Sequence, residues 1–231
     1  MENSSWAIRD SSCIWHPFTQ AFQEPPPVAI VKGKGAYLAA ESGAFYLDAI
    51  SSWWVNLHGH AHPYIAKAIA SQAQTLEHVL FAGFTHPQAV RLAERLLSIL
   101  PGNYSRVFYS DNGSTAVEVA IKIAFQTVGA SKTLLSFEGG YHGDTFGAMA
   151  AAGKNFFNRP FWPYLFHVHS IPPPIPGQEE HSWNAFEKAL AENTIAAFLF
   201  EPLLQGVGGM RLYSKEILKR MMQACRSHGI L

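Results

Sequence analysis

The stretch that decides the fold is residues 106–128, RVFYSDNGSTAVEVAIKIAFQTV. Its opening run, 107–109, is β-branched and aromatic, which favours a strand. A polar turn with one glycine follows at 111–115, and a helix is predicted over 114–128. The apolar residues at helical spacing are Val117, Ala120, Ile121, Ala124 and Val128.

The same order of elements continues along the chain. Short apolar runs at 133–137 and 195–200 predict two more strands, and helical patterns precede and follow the second run. Such alternation is typical of a parallel sheet covered by helices, so we predict an α/β protein. Residues 139–180 are rich in aromatic residues, glycine and proline, and they are too long for a plain connection, which predicts a functional loop region. Residues 230–231 predict the first step of another buried strand.

The N-terminal part follows a different pattern. Residues 28–48 contain short strand-like runs separated by glycine-containing turns, which predicts a small antiparallel unit. Two helices are predicted between 63 and 100, each with an apolar stripe that we expect to pack against a sheet. We therefore divide the chain into an N-terminal segment, 1–55, and a larger domain, 56–231.

Composition narrows the classes of partner. Apolar residues make up 48% of the chain and charged residues 15%, as expected of a globular protein with a large core. The 17 basic side chains balance 17 acidic ones, which disfavours a nucleic-acid or membrane-surface binder and favours a small-molecule partner. No signal-peptide pattern and no apolar run of about 20 residues is found, so we expect a cytoplasmic protein.

A candidate anion site lies at 111–115, Asp-Asn-Gly-Ser-Thr. Backbone N–H groups at a helix start have no intrahelical acceptor, Gly113 allows close approach, and Ser114 and Thr115 add hydroxyl donors. A phosphate fits such a site. The alternative is that Asp111, Asn112 or Ser114 only caps the helix, and the segment taken alone modestly favours capping.

A second candidate follows the next predicted strand, at 139–145, Gly-Gly-Tyr-His-Gly-Asp-Thr. In a parallel sheet this segment lies at the same carboxyl edge as the anion candidate. Tyr141 could cover one face of a flat cofactor ring, while His142 or Asp144 could orient the ring through hydrogen bonds. A glycine-rich turn with a packed tyrosine explains the segment equally well. Glu201 also ends a strand, and it is either a site carboxylate or a solvated glutamate.

The pair Trp53-Trp54 is unusual, because adjacent tryptophans cannot both face one core unless the backbone turns. One of them could line a pocket. The alternating residues His58, His60 and His62 resemble a metal-ligand pattern. No HExxH motif or carboxylate at a familiar spacing accompanies them, so we predict no metal site.

Taken together, these segments resemble class III aminotransferases of fold type I, and most closely the members that act in biotin biosynthesis. The resemblance covers nearly the whole chain, and several motifs occur in the order of the family. They are Trp-His-Pro-Phe-Thr at 15–19, Ser-Ser-Trp-Trp at 51–54, the segment 110–118, the segment 140–149, Glu-Pro at 201–202 and Gln-Gly at 205–206. The resemblance implies a three-layer fold with a mostly parallel sheet, pyridoxal 5′-phosphate as cofactor, and a homodimer. The implied reaction transfers an amino group from S-adenosylmethionine to 8-amino-7-oxononanoate.

The resemblance also implies cofactor contacts. Gly113 and Ser114 would bind the cofactor phosphate, and Tyr141 would pack at the cofactor ring. The residues implied in supporting roles near the cofactor are His142, Asp144 and Glu201.

For the substrate, the resemblance implies a pocket lined by Trp53 and Tyr141. Phe18 aligns with a position that is tyrosine in some members, where a hydroxyl helps to recognise the oxo acid. Phenylalanine has no hydroxyl, so the contact of Phe18 with the substrate would be apolar.

Family members carry two further residues after the last of these strands: an aspartate that pairs with the pyridine nitrogen, and a lysine that forms the Schiff base. Neither is found in these 231 residues. We therefore expect no catalytic residue in the chain and almost no transamination by the chain alone. Two alternatives remain open. One is another class III transaminase that acts on an ω-amino acid, and the other is a non-catalytic remnant or one half of a split enzyme.

Overall fold

The structure is a computed structural model that describes residues 5–20, 22–129, 132–192 and 194–231. The chain forms two compact units, Met1–Gly102 and Asn103–Leu231. The division at residues 55 and 56 concerns the domains of the complete family fold, and it stays a prediction.

The first unit contains a three-stranded antiparallel sheet in the order β1-β2-β3. Its strands are β1 (Ile30–Lys34), β2 (Tyr37–Ala40) and β3 (Phe45–Leu47). Gly43, in the turn between β2 and β3, has a φ of 86°, a value that glycine adopts without strain. The predicted antiparallel unit over 28–48 is confirmed.

The described part of this unit also contains helices α1 (Trp6–Ser11), α2 (Pro63–Thr75) and α3 (Pro87–Ile99), together with one short helical turn at Ser51–Trp54. Both longer helices begin with proline, which fits the first turn because that N–H has no intrahelical acceptor. The expected burial of their apolar stripes is not found, since Ile65, Ile69 and Val90 are 39%, 65% and 44% exposed. Periodicity identifies the apolar side of a helix but not what covers it.

The second unit has three layers. Its parallel sheet has the order β5-β4-β6, with β4 (Thr133–Phe137), β5 (Val168–Ile171) and β6 (Ile195–Leu199). Helices α4 (Gly113–Val128) and α5 (Phe146–Ala151) precede β5, while α6 (Glu179–Glu192) and α7 (Lys215–Ser227) flank β6 in sequence. The α/β fold with a parallel sheet is as predicted.

The core shows why the sheet is covered on both sides. Leu134 and Leu135 are neighbours in β4, and successive side chains of a strand point to opposite faces. Leu134 packs with Ile121 of α4 and Ala151 of α5, whereas Leu135 belongs to the larger cluster built by α6 and α7. That cluster includes Phe137, Phe186, Phe198, Ile217 and Met221.

Two predictions about this unit need correction. Residues 107–109 lie outside the strands of the described chain, because β-branched and aromatic residues give a propensity for a strand and do not by themselves form one. Residues 139–180 are more than a loop, since they contain α5, β5 and a 3₁₀ helix, Arg159–Tyr164. The strand β5 escaped prediction because His169 and Ser170 interrupt its apolar pattern.

The end of the chain agrees with its pattern. The backbone N–H of Leu231 donates to Ala196 at 3.1 Å, and its carbonyl accepts from Phe198 at 2.9 Å. These bonds place residue 231 beside β6, as expected of a first step of another strand. Within the described ranges, no helix is long and apolar enough to cross a membrane.

Candidate cofactor site

The start of α4 is capped by Asn112. Its side-chain oxygen accepts from the backbone N–H of Thr115 at 3.0 Å, and the Thr115 hydroxyl oxygen accepts from the Asn112 N–H at 3.2 Å. The helix cap that was the alternative for this segment is therefore present, and Asn112 is the capping residue. The backbone N–H and the hydroxyl of Thr115 are both used in this cap. The hydroxyl of Ser114 and the backbone at Gly113 take no part in the cap and are left for other contacts. The space beside Gly113 is open, since a Cβ there would meet no atom within 4 Å.

The two glycine-containing segments converge, as predicted from the topology. The hydroxyl oxygen of Ser114 accepts from the backbone N–H of Asp144 at 3.4 Å. Gly143 packs directly on Ser114, because a Cβ at position 143 would lie 2.7 Å from the Ser114 Cβ. The helix start and the segment after β4 thus form one continuous surface.

Tyr141 and Asp144 interact within this surface. The Tyr141 hydroxyl donates to the Asp144 carboxylate at 2.7 Å, while 41% of the Tyr141 surface remains exposed. The hydrogen bond to Asp144, together with burial and the negative charge of Asp144, raises the pKa of Tyr141 to about 12. The phenol is therefore neutral at physiological pH, and its exposed ring can contact a ligand.

Glu201 joins two loops at the ends of neighbouring strands. One carboxylate oxygen accepts from the backbone N–H of Tyr141 at 2.9 Å, and the other accepts from the N–H of Gly206 at 2.9 Å. Gly206 follows a short hairpin strand, β7 (Leu204–Gln205), that pairs with β8 (Arg211–Leu212). Both oxygens thus already have a protein donor, which favours a supporting over a direct ligand-binding role for Glu201.

The side chain of His142 is partly buried. Its ring is packed against Gly140, and its Nε2 is buried without a hydrogen-bond partner within the part of the chain that is described. Burial lowers the pKa of His142 against the opposing influence of Glu201, so the ring is neutral at neutral pH. A buried nitrogen without a partner is unfavourable unless another group supplies the hydrogen bond.

Glu118 is a residue that sequence reasoning missed. Its carboxylate on α4 accepts from the Thr145 hydroxyl at 2.5 Å and from the N–H groups of Gly147 and Ala148 at 2.7 and 3.2 Å. Burial acts to raise the pKa of Glu118, but these hydrogen bonds and the charge of Lys122 outweigh burial and lower it. The contact fastens α4 to the start of α5. No local pattern could reveal it, because the partners lie about 30 residues apart in the chain.

The predicted substrate residues Trp53 and Phe18 meet in the first unit. Their ring centroids are 6.1 Å apart in an edge-to-face arrangement, and the residues are 64% and 79% exposed. The backbone does turn at the tryptophan pair, since Trp53 and Trp54 have φ angles of 57° and 65°. A left-handed backbone costs a non-glycine residue about 1–2 kcal/mol, so specific contacts must hold it.

Of the nearby histidines, His60 has a carboxylate partner, whereas His62 Nδ1 is buried without a hydrogen-bond partner among the described residues. His60 Nε2 lies 2.8 Å from the Asp48 carboxylate, and the rings of His58 and His62 are 6.0 Å apart. Among the described residues, no group of three or more histidine, cysteine, aspartate or glutamate side chains is arranged to hold a metal ion.

A separate cavity of about 570 Å³ opens beside Gly139 and Lys154 in the second unit. Its walls include Glu138, His167 and Ser170, but not Ser114, Tyr141 or Glu201. The cavity is therefore adjacent to the converging segments and is not the surface that they form.

Comparison with known proteins defines the class. The class-III aminotransferase family matches residues 19–231. The chain belongs to the class III aminotransferase family, whose members depend on pyridoxal phosphate, and the predicted family and fold type are confirmed.

Particular relatives narrow the comparison. The chain is 47% identical over 230 residues to adenosylmethionine-8-amino-7-oxononanoate aminotransferase of Synechococcus elongatus, covering 94% of this chain and 54% of that protein. It is 38% identical over 242 residues to the enzyme of the same name from Geobacter sulfurreducens, covering 96% and 53%. The chain spans about half the length of the curated relatives it matches.

Solved structures give the same fold. The adenosylmethionine-8-amino-7-oxononanoate aminotransferase of Methanocaldococcus jannaschii is similar with a TM-score of 0.88 and 34% identity, covering 97% of this chain and 53% of that one. An omega transaminase of Pseudomonas jessenii, solved in complex with PMP, has a TM-score of 0.87 and 30% identity, with coverage of 99% and 55%.

Proposed function

We propose that the surface formed by the start of α4 and the segment after β4 binds pyridoxal 5′-phosphate. We further propose that the complete protein transfers an amino group from S-adenosylmethionine to 8-amino-7-oxononanoate. The observation that carries the proposal is the packing of Gly143 on Ser114, because it brings the anion candidate and the ring candidate together.

The residues fit the phosphate. The first N–H groups of a helix lack intrahelical acceptors and carry partial positive charge, which suits an anion. Gly113 leaves open space for the phosphate to approach, and the Ser114 hydroxyl can donate to one of its oxygens. Such a site stabilises the negative charge of a dianionic phosphate.

The residues also fit the ring. The exposed ring of Tyr141 offers an aromatic face to the cofactor or the substrate, and its bond to Asp144 fixes the direction of that face. His142 is packed against Gly140 and supports the segment from below its exposed surface. Glu201 holds the Tyr141 backbone in place and therefore acts on the cofactor indirectly.

When bound, pyridoxal phosphate supplies the electron sink that weakens the Cα–H bond of an amino donor. The residues described here bind and orient the cofactor. Trp53 and Phe18 form an apolar surface, which suits the aliphatic chain of the oxo acid. We expect the complete protein to act as a homodimer in the cytoplasm, and both expectations stay predictions.

A second candidate is an omega transaminase that uses an ω-amino acid as donor. The similarity to the Pseudomonas jessenii structure supports it. The first candidate is better supported, because curated relatives of up to 47% identity carry the biotin-pathway name.

The test is an assay of paired amino donors. The purified chain is mixed with the part of the Synechococcus elongatus relative that the chain does not span, and pyridoxal phosphate and 8-amino-7-oxononanoate are added. We expect diaminononanoate to form with S-adenosylmethionine and not with an ω-amino acid. Product from the ω-amino acid alone would support the second candidate. If the two parts elute together as one complex with bound cofactor and still form product with neither donor, both candidates are contradicted.

A further inference from the structure

The longest run of left-handed backbone in the described chain lies at the tryptophan pair. Four successive residues without glycine, Ser51, Ser52, Trp53 and Trp54, have φ angles of 50°, 48°, 57° and 65°. Left-handed conformation is normally limited to single residues, and it persists only where surrounding contacts determine it. The segment must therefore be held by its neighbours.

Asp48 supplies those contacts. One carboxylate oxygen accepts from the backbone N–H of Ser52 at 2.9 Å, and the other accepts from the Ser52 hydroxyl at 2.8 Å. The second oxygen also binds His60 Nε2 at 2.8 Å. The side chains of Asp48 and His60 are only 6% and 16% exposed, so water competes poorly for these bonds. The bond from the Ser52 N–H, with those from His60 and the Ser52 hydroxyl, lowers the pKa of Asp48.

The turn that Asp48 holds presents an apolar surface. Trp53 stands at its outer end, 64% exposed, and its ring meets the edge of Phe18 at 6.1 Å. Phe18 is itself left-handed, with a φ of 61°. Two strained residues from distant parts of the chain thus meet ring to ring, which is costly unless the pair is needed in that position.

We propose that Asp48 is a positioning residue that holds the Ser51–Trp54 turn left-handed and thereby fixes Trp53 beside Phe18 as the wall for an aliphatic substrate chain. The substrate part of this inference rests on the proposed function. The positional part does not, because it concerns the chain without any ligand.

Fluorine NMR of the chain labelled with fluorotryptophan tests the position. The six tryptophans give separate reporters, and Trp53 is assigned from Trp53→Phe. Asp48→Ala is expected to shift or broaden the Trp53 and Trp54 signals and to leave Trp162 and Trp183, in the second unit, unchanged. The matched control is Glu41→Gln, since the Glu41 carboxylate accepts from the Trp6 N–H at 3.1 Å in the same unit and should affect Trp6 alone.

A rescue separates positioning from a general loss of structure. Glycine adopts positive φ without the Cβ penalty, so Ser52→Gly should reduce the need for the Asp48 contacts. In Asp48→Ala with Ser52→Gly, the Trp53 signal is expected to return towards its native position. Unchanged Trp53 and Trp54 signals in Asp48→Ala would overturn the proposal. If Asp48→Ala also shifts the Trp162 and Trp183 signals, the milder variant Asp48→Asn replaces it as the test. The proposal requires that Asp48→Asn shift the Trp53 signal more than the Trp6 signal. Equal shifts of the two signals would overturn the proposal.

Titration with 8-amino-7-oxononanoate tests the substrate wall. The oxo acid is expected to shift the Trp53 signal of the native chain. If Asp48→Ala leaves the native turn populated at about one part in ten, the apparent dissociation constant rises about tenfold. If the Trp53 signal does not shift with the oxo acid but still changes in Asp48→Ala, Trp53 has no substrate role and the positioning role of Asp48 stands. Equal affinity of the native and Asp48→Ala chains would overturn the link between the two.

Discussion

Gly143 packs so closely on Ser114 that a Cβ at position 143 would lie 2.7 Å from the Ser114 Cβ and 2.9 Å from its Cα. Any residue other than glycine at position 143 would move the start of α4, because its Cβ would overlap Ser114. Gly143 also has a φ of 124°, which strains any other residue. The proposed phosphate site therefore depends on a glycine in a segment that is distant in sequence.

Gly143→Ala is expected to displace Ser114 and weaken binding of pyridoxamine 5′-phosphate by about tenfold, or about 1.4 kcal/mol. Equilibrium dialysis measures the binding, and thermal unfolding measures stability. Gly177→Ala is the matched control, because Gly177 also has positive φ, 84°, but a Cβ there would meet nothing within 4 Å. The control should lose about 1 kcal/mol of stability and no affinity. Equal affinity of Gly143→Ala and the native chain would refute the convergence.

Glu118→Gln tests the link between α4 and α5. The lowered pKa of Glu118 means that its contribution is present above the ordinary value of 4.5 and is lost as pH falls through the folded-state pKa. At about pH 7 the variant should be about 1–2 kcal/mol less stable than the native chain, because hydrogen bonds to a charged acceptor are stronger than those to a neutral one.

Urea unfolding at several pH values checks this prediction. The difference between the native chain and Glu118→Gln should shrink as pH falls through the lowered pKa of Glu118, below which the native carboxyl is also protonated. Glu187→Gln is the control, since it removes the same charge from an exposed position on α6. A stability difference that is independent of pH would argue against the role of the carboxylate.

Glu201→Gln tests the bridge between the two loops. An amide has one oxygen where the carboxylate has two, so the N–H of Tyr141 or that of Gly206 loses its acceptor. Hydrogen exchange of that amide should accelerate about tenfold, corresponding to about 1.4 kcal/mol of local stability. Glu138→Gln, an exposed glutamate beside the same segment, should leave both amides unchanged. If both amides exchange at the native rate in Glu201→Gln, Glu201 does not hold the loops.

Local signals in the sequence were sufficient for the elements whose stability is local. The helix α4 followed from apolar spacing and a polar turn, and the antiparallel unit followed from glycine-containing turns between short strands. The shared edge of the two candidate segments followed from topology, because the carboxyl ends of parallel strands lie at one edge.

Non-local contacts were beyond the sequence. Glu118 looks like an ordinary polar residue of a helix, and only the fold brings Thr145 and Gly147 to it. Asp48 likewise gains its role from hydrogen bonds with Ser52 and His60. Ser52 reaches Asp48 through a left-handed backbone, which the sequence does not indicate because no glycine occurs there. The exposure of α2 and α3 was missed for a related reason: an apolar stripe states that a helix side is apolar, not that a partner covers it.

The most direct test of the cofactor proposal compares pyridoxamine 5′-phosphate with pyridoxamine, neither of which can form an adduct with surface lysines. Equilibrium dialysis should show that the native chain binds the phosphate form at least about tenfold more tightly than pyridoxamine. Ser114→Ala should lose most of that preference, while Ser227→Ala, an exposed serine at the end of α7, should keep it. Equal binding of the two compounds by the native chain, or a preference that survives Ser114→Ala unchanged, would contradict a phosphate site at the start of α4.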